Sequence, residues 1–116
     1  GIYFVINDWS PDGARLAGML RGWTDRGVGY YDLEAREYVA LTDFGQWPVW
    51  LPDSRRMLFV TGGSEYHIVD TETGETRRVY TMARDHLGPP RLTADGTEIV
   101  YSRRDTEGDL WWVTIE

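Results

Sequence analysis

The sequence predicts an all-β chain of β-propeller blades, that is, four-stranded antiparallel meanders, and three observations carry the prediction. A turn signature occurs three times, as Trp9-Ser10-Pro11-Asp12-Gly13, Trp50-Leu51-Pro52-Asp53-Ser54 and Leu92-Thr93-Ala94-Asp95-Gly96, with the aspartates 41 and 42 residues apart. That period is the length of a four-stranded blade and exceeds most helical repeats. An apolar run follows each copy, Arg15 to Leu20, Arg56 to Val60 and Glu98 to Tyr101, and reads as a strand. A further strand in each unit ends on a glutamate, Glu34, Glu72 and Glu116, at 22, 19 and 21 residues past the turn aspartate. The insertions therefore fall in the loop between these two strands, where a hairpin tolerates them.

Taken in order, Val5 to Trp9 aligns on its tryptophan with Gln46 to Trp50 and forms an innermost strand, leaving Gly1 to Phe4 over. The second strand begins at Arg15 and the third closes on Tyr30-Tyr31-Asp32-Leu33-Glu34. Residues 36–42 then read as an outer strand behind the Glu34-Ala35 turn. The second unit repeats the pattern with strands through Arg56 to Val60 and Ile68 to Glu72, a Thr73-Gly74-Glu75 turn and an outer strand over 76–81. The third unit reaches Trp112-Val113-Thr114-Ile115-Glu116 with no fourth strand after it. The units span 1–42, 43–81 and 82–116, about 2.75 blades per chain and a single propeller fragment.

Composition fits this reading and narrows the function. Six Trp and seven Tyr among 116 residues suit strands, and no apolar stretch approaches the ~18 residues of a membrane span. Contact with a membrane is not expected. No targeting segment is visible. The absence of cysteine excludes disulfides and thiol chemistry. A net charge of −7 disfavours a nucleic-acid partner, which needs a basic footprint. All twelve basic residues are Arg, which stacks on aromatics and forks onto carboxylates.

The runs at 9–18 (Trp-Ser-Pro-Asp-Gly-Ala-Arg-Leu-Ala-Gly), 31–34 (Tyr-Asp-Leu-Glu) and 41–54 (Leu-Thr-Asp-Phe-Gly-Gln-Trp-Pro-Val-Trp-Leu-Pro-Asp-Ser) together resemble the WD-like repeats of TolB-type β-propellers. The resemblance covers essentially the whole chain and implies the fold. The third copy departs from the pattern with Leu92-Thr93-Ala94 in place of Trp-Ser-Pro. The closing Asp109 to Glu116 looks like the carboxyl end of such a propeller. In bacteria, units of this kind often form the carboxy-terminal part of larger proteins, including serine/threonine kinases with extracytoplasmic propellers and peptidases with a propeller filter.

Asp12, Asp53 and Asp95 read as structural turn residues: a short carboxylate at a tight turn accepts backbone N–H bonds while Pro and Gly set the flanking φ angles. Catalytic patterns fail. Gly62-Gly63-Ser64-Glu65-Tyr66 is not a Gly-x-Ser-x-Gly elbow, so Ser64 is not read as a nucleophile. His67 and His86 lie in different units and give no metal-ligand spacing. No catalytic residue, metal or cofactor is expected. Ligand contacts are expected on the face of the longer, aromatic loops, with Trp23, Trp47, Arg84 and His86 as a set, because exposed Trp and Arg on loops are typical anchors.

These readings give a non-enzymatic binding and interaction module. Its partners are further copies of itself, a dimer before a trimer, or the remaining blades of a parent protein. Gly1 to Val5 is expected to cross over and supply the missing outer strand. The alternative is a propeller associated with an enzyme, as a peptidase gate or a kinase sensor domain.

Overall fold

The computed structural model describes residues 3–22, 27–62, 65–81, 89–102 and 110–115. Eleven strands form three antiparallel sheets, and no helix occurs among the described residues. The first sheet contains β1 (Tyr3–Trp9), β2 (Arg15–Arg21), β3 (Val28–Asp32) and β4 (Glu37–Ala40) in chain order. The second repeats this with β5 (Gln46–Trp50), β6 (Arg56–Thr61), β7 (Glu65–Asp70) and β8 (Thr76–Thr81). The third has β9 (Arg91–Leu92), β10 (Glu98–Ser102) and β11 (Leu110–Thr114), with β10 in the middle. These are propeller blades: short loops force each strand to pair with its sequence neighbour.

Two differences from the sequence reading stand out. The first outer strand is shorter than residues 36–42, because Arg36 sits in the turn at φ 56° and past Ala40 the Leu41 and Thr42 N–H groups share the one Val28 carbonyl instead of continuing the residue-by-residue pairing. Tyr3, Phe4 and Val5 pair with Arg21, Leu20 and Met19, so they extend β1 of their own blade and are not spare residues for a neighbour's edge.

The three turns share one construction. Asp12 Oδ1 accepts the Ala14 N–H at 3.0 Å, Asp53 Oδ1 accepts Arg55 and Arg56 N–H at 3.0 Å each, and Asp95 Oδ1 accepts Thr97 N–H at 3.1 Å. The residue after each aspartate has positive φ: Gly13 at 77°, Ser54 at 55° and Gly96 at 72°. Glycine takes this conformation without steric cost. Serine does not, but Ser54 Oγ accepts the Asp12 N–H of the previous blade at 3.0 Å, a bond glycine would lose.

Blades dock face to face. Ala17, Val28 and Tyr30 of the first pack on Trp50, Met57, Phe59 and Val69 of the second. On its other side the second blade offers Val49, Leu58, Val60, Tyr66 and Ile68 to Ile99 and Tyr101 of the third. Because successive strand residues face opposite sides, Met57 and Phe59 serve one interface and Leu58 and Val60 the other. That is why Met57-Leu58-Phe59-Val60 is uninterrupted and wholly buried.

Candidate functional site

The first strand of each sheet lies innermost. β1 packs beside β5, and the turn ends of β1, β5 and β9 converge on a cleft of about 480 Å³ lined by Asn7, Asp8, Val49, Trp50, Arg91 and Thr93 together with Pro11, Pro52, Leu92 and Ala94. Both complete inner strands bulge at the same repeat position, between Ile6 and Asp8 and between Gln46 and Val49. In β5 the bulge places Trp47 at φ 53°, a conformation costing on the order of 1–3 kcal/mol for a bulky residue. Pro48, which has no N–H to give a ladder, follows it.

An innermost strand pairs on one side only, and side chains of the preceding blade cover its other edge. Asn7 Nδ2 donates to Pro48 O at 2.7 Å, and Asp8 Oδ2 accepts the Trp50 N–H at 2.7 Å. Aligned on the tryptophan, Asn7 and Asp8 correspond to Pro48 and Val49 and then to Pro90 and Arg91. This polar clamp thus belongs to the first blade. Sequence reasoning missed Asn7, Asp8 and Arg91 as lining residues. The available signal was a polar pair at a position apolar in the next unit.

A second groove of about 750 Å³ runs along the turn face between the first two blades, past Asp12, Asp32, Glu34, Asp53 and Glu72 with Arg15 and Arg55. Its charges are mutually engaged. Arg15 Nε lies 3.4 Å from Asp32, while Arg55 lies 2.9 Å from Asp70 and 3.3 Å from Glu72. The turn carboxyls sit below the usual Asp range: Asp12 through the Ser10 hydroxyl and then the Ala14 N–H, and Asp95 through the Thr97 N–H and hydroxyl and then the Thr93 hydroxyl. At Asp53 burial pushes upward, but the Arg56 and Arg55 N–H groups and the Arg56 guanidinium together outweigh it. These groups are organised to stay ionised and hold turns.

Among the expected loop contacts, Trp23, Arg84 and His86 lie outside the described residues, as does Ser64. Trp47 belongs to strand β5 and is half-buried against the core between the second and third blades. His67 stacks on Phe59, with ring centroids 5.7 Å apart, and meets Phe44 edge-on at 5.6 Å. Its Nε2 is 3.1 Å from Glu65 Oε1, and Arg78 reaches the other Glu65 oxygen at 3.3 Å. The His67 contact and then Arg78 hold the Glu65 carboxyl below its ordinary range. Among the described residues no three His, Cys, Asp or Glu side chains gather as metal ligands.

Fold and repeat geometry define a set of β-propeller blades. Comparison with solved structures specifies the type: the chain has the blade fold of TolB-like propellers. It superposes on a putative TolB from Agrobacterium tumefaciens with TM-score 0.79 at 19% identity, covering 98% of this chain and 46% of that one. TolB from Acinetobacter baumannii gives TM-score 0.72 at 21% identity, covering 98% of this chain and 29% of that one. An oligogalacturonate lyase from Vibrio parahaemolyticus gives TM-score 0.72 at 23% identity, covering 87% and 28%. The chain spans less than half the length of these structures. No protein-family model matches the sequence. No curated protein matches it significantly.

Proposed function

We propose that this chain is a non-enzymatic propeller module that binds proteins or ligands, and that further blades complete it into a ring. One observation carries the reading. Trp9 and Trp50 hold the same place in successive blades, yet Trp50 is 5% exposed and Trp9 is 61% exposed. The difference is the blade in front: Trp50 packs on Tyr30 of the first blade at 6.2 Å between rings, whereas among the described residues no blade packs on Trp9. A row of blades closed into a ring would also wall the cleft around Asn7, Asp8 and Arg91 on all sides. Trp23, Trp47, Arg84 and His86 are the proposed ligand contacts.

A test joins two copies of the chain in one polypeptide through a flexible linker. Blades added in this way should raise the unfolding midpoint and sharpen the transition relative to the single chain at high dilution, because each repeat interface adds to stability. A tandem chain no more stable than the single one would overturn the reading.

The likeness to oligogalacturonate lyases, one of them solved in complex with manganese, favours a second reading in which the blades belong to an enzyme. The described residues offer no metal-ligand cluster, so they do not fit a manganese centre by themselves. Incubation with oligogalacturonate and manganese, followed for unsaturated product, separates the readings. The module should release none, and sustained release would favour the enzyme.

A further inference from the structure

The uncovered face of the first blade has a definite chemistry. Phe4, Ile6, Trp9 and Leu16 share it with Tyr38, and the register Phe4↔Leu20, Ile6↔Gly18, Trp9↔Leu16 keeps them on one side. Ile6 is 59% exposed and Tyr38 61%. An isolated exposed apolar residue needs no explanation, but a sheet face of this kind marks an interaction surface.

Two features show what the face is shaped for. The first is the socket that receives each inner strand. Trp50 packs in the cluster that contains the cross-strand pair Ala17↔Tyr30, and Leu92 packs on the cluster that contains the pair Leu58↔Ile68. In the third blade the same repeat positions form the pair Val100↔Trp112. Ile99 and Tyr101 are buried toward the second blade, so Val100 takes the alternate register position, on the far face of the third. The second feature is the contact between turns. Ser54 reaches Asp12 of the turn before it, and a Cβ on Gly96 would come 2.5 Å from Pro52 of the turn before it. Around Gly13, at the same position in the first turn, there is open space.

We propose that a second copy of this chain covers this face, head to tail: the far face of one copy's third blade receives Trp9 and Ile6 of the other, and the Ala94-Asp95 turn of one copy meets Gly13 of the other. The contact continues the two blade interfaces inside the chain by one more step. Repeated once it closes a two-fold ring of about six blades, within the roughly four to eight blades of closed propellers. This inference rests on the blade-completion reading above and adds the identity of the partner.

Sedimentation equilibrium from submicromolar to high micromolar protein tests it. The expected mass rises from 13.4 kDa to twice that value. Trp9→Glu should abolish the doubling while far-UV circular dichroism remains that of the wild type. Should Trp9→Glu fail to fold, Ile6→Glu places the same charge at another exposed position of the face. Because the chain has no cysteine, Gly13→Cys with Ala94→Cys also offers a clean link, which should join two chains under oxidation. A monomer at every concentration, a dimer indifferent to both glutamate variants, or a trimer would each overturn the proposal. A monomeric single chain together with a stabilised tandem chain would overturn only the second copy as partner. An unstabilised tandem chain would overturn blade completion itself.

Discussion

Ser10, Leu51 and Thr93 hold one repeat position and solve it with different atoms. Ser10 Oγ donates to Asp12 at 2.6 Å and accepts the Arg15 N–H at 3.0 Å, and Thr93 Oγ1 donates to Asp95 at 2.8 Å and accepts the Glu98 N–H at 3.2 Å. Leu51 has no hydroxyl and is buried in the core, and its turn is held instead by Arg56 Nε on Asp53 at 2.7 Å. Ser10→Ala and Thr93→Val should each cost about 1 kcal/mol, the net value of a typical intramolecular hydrogen bond. Leu51→Ser should cost at least the roughly 2–5 kcal/mol of a buried leucine truncation. Urea midpoints at constant slope measure all three, and equal losses would contradict the assignment. The phase of the turns was legible because Asp and its flanking residues are local chemistry. At Leu92-Thr93-Ala94 the letters depart from Trp-Ser-Pro, but the Thr93 hydroxyl keeps the bonds of the Ser10 hydroxyl.

At the scale of the strand, the consequential feature is the open edge of β5. Its Trp50 N–H depends on the Asp8 carboxylate and its Pro48 carbonyl on the Asn7 amide, so two side chains of β1 fix how the second blade sits against the first. Asp8→Ala leaves a buried N–H without an acceptor and should cost about 1–3 kcal/mol. Asn7→Ala should cost less, because a carbonyl facing a cleft can turn to water. Amide exchange at Trp50 reports the effect directly: it should quicken in Asp8→Ala, and unchanged exchange would sink the clamp. Strand positions were legible from alternation and turn spacing, including β8 over 76–81. The bulges were not, since Trp47 at positive φ in a strand contradicts its own backbone preference and is imposed by packing between blades. The same override moved Trp47 from an expected loop anchor to a half-buried strand residue.

Across the whole molecule the three blades are unequal in what covers them, and that was only partly legible. The unbroken Met57 to Val60 run announces a strand buried on both sides, yet nothing local distinguishes Trp9 from Trp50, whose exposures differ because the preceding blade covers Trp50. In a linear repeat, stability is a sum over units and their interfaces, so the blade with two interfaces should open last. β6 and β7 of the second blade carry Met57, Leu58, Phe59, Val60, Tyr66, Ile68 and Val69, all buried. Among the described residues the first blade keeps one face bare, and β11 pairs with β10 alone. Hydrogen exchange of the dilute single chain should therefore rank protection as β6 and β7 first, then β2 and β3, then β1 and β11. Raising the concentration into the range of the head-to-tail dimer should slow exchange selectively in β1, β2 and β11, whose residues border the new contact, and leave β6 and β7 almost unchanged. Uniform protection at both concentrations would mean that the chain unfolds as one unit, with no energetic difference between a covered and an uncovered blade face.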